Sequence, residues 1–154
     1  KSTMNNLVFG NSDFQYYETI CGGQGAGRYF DGCDAIQTNM TNSKLTDPEV
    51  FEEIYPITLI ELSINHQSGG KGKFSGGNGI KKVFKINANM DCSILSNNRY
   101  IPPFGLEGGS SGCVGRNSIV RKTQVIRIDG NCQIELKNND LLIIETPSGG
   151  GFGK

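Results

Sequence analysis

Glycine sets the terms for this chain. Gly22-Gly23-Gln24-Gly25-Ala26-Gly27 places four glycines in six residues. Such a run suits neither a helix nor a strand interior, because glycine loses the most backbone freedom on ordering and offers no side chain to pack. It is kept where φ must be positive, or where another backbone or a ligand comes close. The signature returns in Ser68–Gly79, in Gly105–Gly115 and in the closing Pro147–Lys154. Most of the 22 glycines, about twice the average share, therefore fall in four clusters and are not spread evenly.

Between the clusters the pattern is mostly of period two. Ile57–Ile64 puts Ile60, Leu62 and Ile64 on one face and Glu61 and Ser63 on the other, and Ile80–Ile86 alternates with lysines as a half-exposed strand would. Met90, Cys92 and Ile94 alternate with Asp91 and Ser93, and three more strands are expected at Val125–Ile128, Cys132–Leu136 and Leu141–Glu145. Turn signals separate them, notably Asn78-Gly79 and Asp129-Gly130. One short helix is expected over 47–54, with Thr46 and Glu49 as a capping box or Asp47 as N-cap before Pro48. Pro56 stops it, and Val50, Phe51 and Ile54 form its apolar side. The expectation is a single mainly antiparallel β domain over 1–154, a sandwich or distorted barrel with one short helix. The first residues, apart from Leu7-Val8-Phe9, read as a long irregular stretch laid against it.

Charge narrows the partners. Lys+Arg and Asp+Glu number 15 each, so the net charge is zero and no like-charge tract exists. That argues against a nucleic-acid or membrane-surface partner. With no long apolar run and nothing like a secretory leader in Lys1-Ser2-Thr3-Met4, a soluble, cytoplasmic protein is expected. The five cysteines are an odd, scattered set, and reduced thiols are the expected state.

The short motifs carry little chemistry by themselves. Gly108-Gly109-Ser110-Ser111-Gly112 satisfies G-x-S-x-G, but a nucleophile elbow needs a strand before it, a helix after it and a downstream histidine. The lone His66 lies upstream and Pro102-Pro103 precedes the motif. Gly23-x-Gly25-x-Gly27 has neither the phosphate-loop nor the dinucleotide spacing. It can line a substrate cleft or be a structural turn, and composition favours the turn. A single histidine and no C-x-x-C leave no zinc pattern, and Glu52-Glu53 reads as a solvated helix face.

Taken as strings in order, the segments resemble one family. Met4-Asn5-Asn6-Leu7-Val8-Phe9-Gly10-Asn11, Tyr16-Tyr17-Glu18-Thr19-Ile20, Gly22-Gly23-x-Gly25-Ala26-Gly27, Met40-Thr41-Asn42 and Thr46-Asp47-Pro48-Glu49 look like the late part of hydantoinase B. That subunit is equivalent to the C-terminal half of ATP-dependent 5-oxoprolinase. The series continues through Tyr55-Pro56, Ser68-Gly69-Gly70, Gly76-Gly77, Gly79 and Pro103-x-Gly105-Leu106-x-Gly108-Gly109. It ends in Thr146-Pro147-x-Gly149-Gly150-Gly151-Phe152-Gly153 and so covers essentially the whole chain.

The resemblance implies a C-terminal fragment of a hydrolase that opens cyclic amides such as 5-oxoproline or hydantoin, with ketone carboxylases as related enzymes. ATP and a divalent metal would be bound only by other parts, so no cofactor and no metal ligand is expected here. The implied partners are the upstream hydantoinase B portion and a hydantoinase A-type part, with a homo-oligomer through uncovered strand edges as another arrangement. In the shared cleft it would place Glu18, Gly22, Gly23, Gly25, Gly27, Asn39, Thr41 and Asn42, with no catalytic residue assigned. The alternative is an inactive stand-alone remnant, at most a binding or assembly module.

Departures from the family pattern favour loss of chemistry over loss of fold. Asn39 stands where the family usually has His, and Ile54 where it has Arg. Ser75-Gly76-Gly77-Asn78-Gly79 replaces Arg-Gly-Gly-Asp-Gly, Asn97-Asn98-Arg99 replaces an acidic-Arg-Arg run, and Ser148 stands for a tail glycine. Glycines are kept, while ionisable groups able to do acid–base work or bind carboxylates are neutralised.

Overall fold

The computed structural model describes residues 4–38 and 46–154. The chain forms β1 (Asn5–Gly10), β2 (Gln15–Thr19), α1 (Pro48–Ile54), β3 (Ile57–Ile64) and β4 (Ile80–Ile86), followed by β5 (Met90–Ser96), β6 (Arg116–Arg121), β7 (Gln124–Ile128), β8 (Asn131–Leu136) and β9 (Leu141–Glu145). The strands make two open sheets, ordered β2-β1-β5-β8 and β3-β4-β9-β6-β7. Every neighbouring pair is antiparallel. Packed face to face, they form a sandwich, and no barrel closes.

The period-two pattern decides which side chains fill it. Leu7 and Phe9 of β1, Cys92 and Ile94 of β5, Phe84 and Ile86 of β4 and Leu142 and Ile144 of β9 are all buried in one cluster. Phe9 meets Phe84 edge-on across the sheets, with ring centroids 5.4 Å apart. Burying such rings supplies much of the folding free energy, at roughly 25 cal/mol per Å² of apolar surface. Helix α1 adds Phe51, which is buried and meets Tyr16 of β2 edge-on, with ring centroids 4.7 Å apart. Of the two expected caps, Asp47 is the one used. Its carboxylate accepts from the Glu49 amide at 2.9 Å, while Thr46 Oγ1 accepts from the Tyr16 hydroxyl.

Four expectations change. The N-terminal stretch is not irregular: β1 lies inside the four-stranded sheet, between β2 and β5. Its run Leu7-Val8-Phe9 hid an alternation in which Leu7 and Phe9 point inward. Strand β6 follows the third glycine cluster directly and was not foreseen. Strand β4 is interior and not half-exposed, because β3 and β9 flank it, so Lys82 and Val83 are both buried. In β3 the register shifts between Leu59 and Glu61. Leu62 and Ile64 then share the face of Lys82 and Ile80, yet this strand is at the sheet edge and both stay exposed. Cys33, Cys92, Cys113 and Cys132 are free thiols. Among the described residues, no helix is long and apolar enough to cross a membrane.

Candidate functional site

The glycine clusters, scattered along the sequence, come together in space. The tail segment Pro147–Gly153 runs as a central rod, and residues 22–26, 69–77 and 104–112 pack around it. Main-chain hydrogen bonds join the pieces. Gly23 N donates to Pro147 O, Ala26 N to Gly150 O, Gly70 N to Gly149 O, Gly77 N to Gln24 O, Gly149 N to Gly77 O and Gly151 N to Ser110 O, at 2.8–3.1 Å.

Their contacts are tighter than a side chain allows. A Cβ on Gly149 would lie 1.8 Å from Gln24 O, one on Gly23 1.9 Å from Gly77 O, and one on Gly77 1.9 Å from Cys33 O. Among the glycines of the described residues, only Gly108 and Gly153 have positive φ. Of the two reasons to keep glycine, close approach of main chain to main chain therefore applies almost throughout.

Side chains pin the edges of this lattice. Asp31 Oδ1 accepts from Ser75 N at 2.6 Å, and Asp34 receives Asn78 through both its amide N (2.6 Å) and Nδ2 (3.1 Å). Asn78 Oδ1 in turn accepts from Ser68 N and Gly69 N. An aspartate at 78 would set two carboxylates against each other; the amide supplies the donor that Asp34 needs. Buried Ser148 donates to Ser68 O at 2.5 Å and accepts from Cys113 N at 2.6 Å. Two of the family departures are thus built into the hydrogen bonding. Ser110, the serine of G-x-S-x-G, accepts from Lys71 N, and the next regular element is a strand, so no nucleophile elbow forms.

Glu18, on β2, turns inward and meets Lys82 of β4 across the sandwich. The ammonium lies 2.6 and 2.8 Å from the two carboxylate oxygens, with both side chains about 95 % buried or more. Lys82 Nζ also sits 5.0 Å from the Phe84 ring centroid. Such a pair is costly to desolvate, and removing one partner strands the other's charge. Nearby, burial pushes the Tyr16 phenol up to about 12. Behind β1 the Arg99 guanidinium is buried and bonds the neutral oxygens of Asn5, Asn117 and Asn97. Burial draws its pKa down to about 10.

The candidates read from sequence take distinct positions. Gly22 and Gly23 are buried in the lattice, Gly25 and Gly27 are half-buried at its margin, and Glu18 is closed inside the sandwich. Asn39, Thr41 and Asn42 lie outside the described residues. Lys82, Arg99 and the Asp34–Asn78 pair were not foreseen. The adjacent Lys81-Lys82 in a strand was the one available signal, since period two must send one of them inward. No group of three or more His, Cys, Asp or Glu side chains gathers among the described residues, so they offer no donor set for a divalent ion.

The mainly β fold recurs in a solved structure of a longer chain. The crystal structure of an ATP-dependent caprolactamase from Pseudomonas jessenii superposes with a TM-score of 0.77 at 17% identity, over 97% of this chain and 28% of that one. The family Hydantoinase B/oxoprolinase matches residues 1–154, and the chain belongs to that family. A 5-oxoprolinase of Dictyostelium discoideum is 43% identical over 152 residues, 98% of this chain. One from Saccharomyces cerevisiae is 47% identical over 149 residues, 92% of this chain. The chain spans 12% of the length of each of these two relatives.

Proposed function

We propose that this chain serves as the C-terminal part of a 5-oxoprolinase/hydantoinase B-type hydrolase that opens cyclic amides, with ATP and a divalent ion handled by companion parts. One observation carries the reading: all 154 residues match the family, and the 5-oxoprolinases of Dictyostelium discoideum and Saccharomyces cerevisiae are 43% and 47% identical while extending far beyond it. The chain's own chemistry suits a supporting role. Its buried carboxylates Glu18 and Asp140 are paired with Lys82 and Arg121, and its glycine lattice bonds main chain to main chain. In the shared cleft, the half-buried Gly25 would present main chain where a side chain would obstruct a neighbour.

A chimera tests this directly. This chain replaces the matching region of the Dictyostelium 5-oxoprolinase, and ATP-dependent 5-oxoproline hydrolysis is measured. Hydrolysis at a substantial fraction of the parent rate is the expected result. A folded chimera without turnover would favour the alternative, an inactive remnant that assembles without catalysing.

A further inference from the structure

Two aromatic-bearing loops flank the central tail rod, and neither is covered. The Gly27–Phe30 hairpin continues from Ala26, whose N–H bonds Gly150 O, while Phe104 O packs against the Gly150 Cα from another side. Leu106 N donates to Gly151 O, and Gly153 N returns a bond to Leu106 O, each at 2.9 Å. The side chains these loops carry are exposed: Tyr29 80%, Phe104 73%, Phe30 51% and Leu106 48%.

The main chain that carries these side chains is pinned by its own hydrogen bonds. Gly27 and Phe30 exchange main-chain bonds in both directions. The Phe30 ring lies against the open face of Gly27, where a Cβ would be 2.4 Å from its edge. The Arg28 guanidinium lies 5.6 Å from the Tyr29 ring centroid. Exposed Arg28 and Glu107 border the apolar groups. Aromatic groups on a pinned main chain, with a charged border, have the composition of an interface centre and rim, and their loops give up little freedom on docking.

We infer that the Gly27–Phe30 hairpin and the Phe104–Leu106 loop form the surface against which the rest of a hydantoinase B-type polypeptide docks. The inference rests on the reading given under Proposed function. It commits to that occupant because relatives carry more than seven times as much chain again, this one spanning 12% of their length. The lattice would then act as a stiff mount: side-chain-free inside, it holds aromatic-bearing loops in position for a neighbour.

Hydroxyl-radical footprinting compares the isolated chain with the chimera described above, reading Tyr29, Phe30 and Phe104 together with Tyr17 and Val125, exposed at other sites. Labelling of the three loop residues should fall about tenfold in the chimera, as expected for exposed rings entering an interface core, with Tyr17 and Val125 changing less. The same fall is expected when the isolated chain is mixed with the Dictyostelium protein lacking the matched region. Undiminished loop labelling in both experiments would overturn the inference. So would a fall that depends only on the concentration of the isolated chain, which would make a second copy the occupant. Hydrolysis reports separately: protected loops in an inactive chimera uphold the surface and overturn the activity, and an active chimera with fully labelled loops does the reverse.

Discussion

The sandwich and the glycine lattice are both closely packed, but by opposite means. In the sandwich, side chains fill the space between backbones about 10 Å apart, as where Phe9 meets Phe84. In the lattice the backbones themselves touch, and the α-hydrogens of Gly23, Gly77 and Gly149 occupy the space a side chain would need. The first arrangement tolerates exchange of one hydrophobe for another of similar volume. The second has no slack, because the atoms in the way are main-chain carbonyls fixed by their own hydrogen bonds.

Substitutions sharpen the contrast. The largest effect is expected for Gly149→Ala, whose Cβ would overlap Gln24 O and C. It should cost about 4 kcal/mol or more, read from the urea midpoint. Gly10→Ala, which meets chiefly the flexible Gln15 side chain at 3.0 Å, should cost about 1 kcal/mol or less. Equal losses at the two sites would remove the distinction. In the sandwich, Lys82→Met should cost about 3 kcal/mol by leaving Glu18 buried and unpaired, and adding Glu18→Leu should restore most of it. A double variant no more stable than the single one would show that the pair is not isolated from water.

Smaller effects follow at the margins. Ser148→Ala removes one donor and one acceptor between Ser68 and Cys113. It should lower stability by about 1–2 kcal/mol, and Ser148→Gly by a comparable amount despite restoring the family's usual residue. A glycine more stable than the serine would mean that these bonds contribute nothing.

Asp140 sets the acid response. Burial works against its ionised carboxylate, but the hydrogen bonds from Arg121 and the Lys137 amide outweigh this and hold its pKa below the ordinary aspartate value. A folded value below the unfolded one gives stability that is fully present above about pH 4 and lost as pH falls through the folded value. Asp140→Asn should therefore flatten the acid limb of a stability–pH curve and leave its slope near neutrality unchanged.

Much of this was legible in the residues, within a clear limit. The glycine runs announced close approach, the alternation of β5 and the apolar run of β9 announced strands, and Asp47-Pro48 announced the helix start. What sequence could not supply was which distant segments meet. Ser148 bonds Ser68 across 80 residues and Lys82 bonds Glu18 across 64, separations that no local pattern encodes. Strand β1 was missed because Asn5, Asn6 and Gly10 are poor strand formers and three consecutive apolar residues mask period two. Burial of Lys82 came from its neighbours β3 and β9, which β4 alone does not reveal. Of the candidate site, Glu18 and the Gly22–Gly27 run were singled out from sequence, but their partners Lys82, Gly77 and Gly149 were not.

Amide hydrogen exchange followed by NMR tests the central claim, that the glycine segments are packed main chain and not open loops. The N–H groups of Gly23, Gly70, Gly77, Gly149 and Gly151 each donate to a main-chain carbonyl. They should exchange as slowly as the core-strand amides of Phe9 and Phe84, within about tenfold, as members of one cooperative unit. Exchange of these glycines near the unprotected rate, while Phe9 and Phe84 stay protected, would contradict the account.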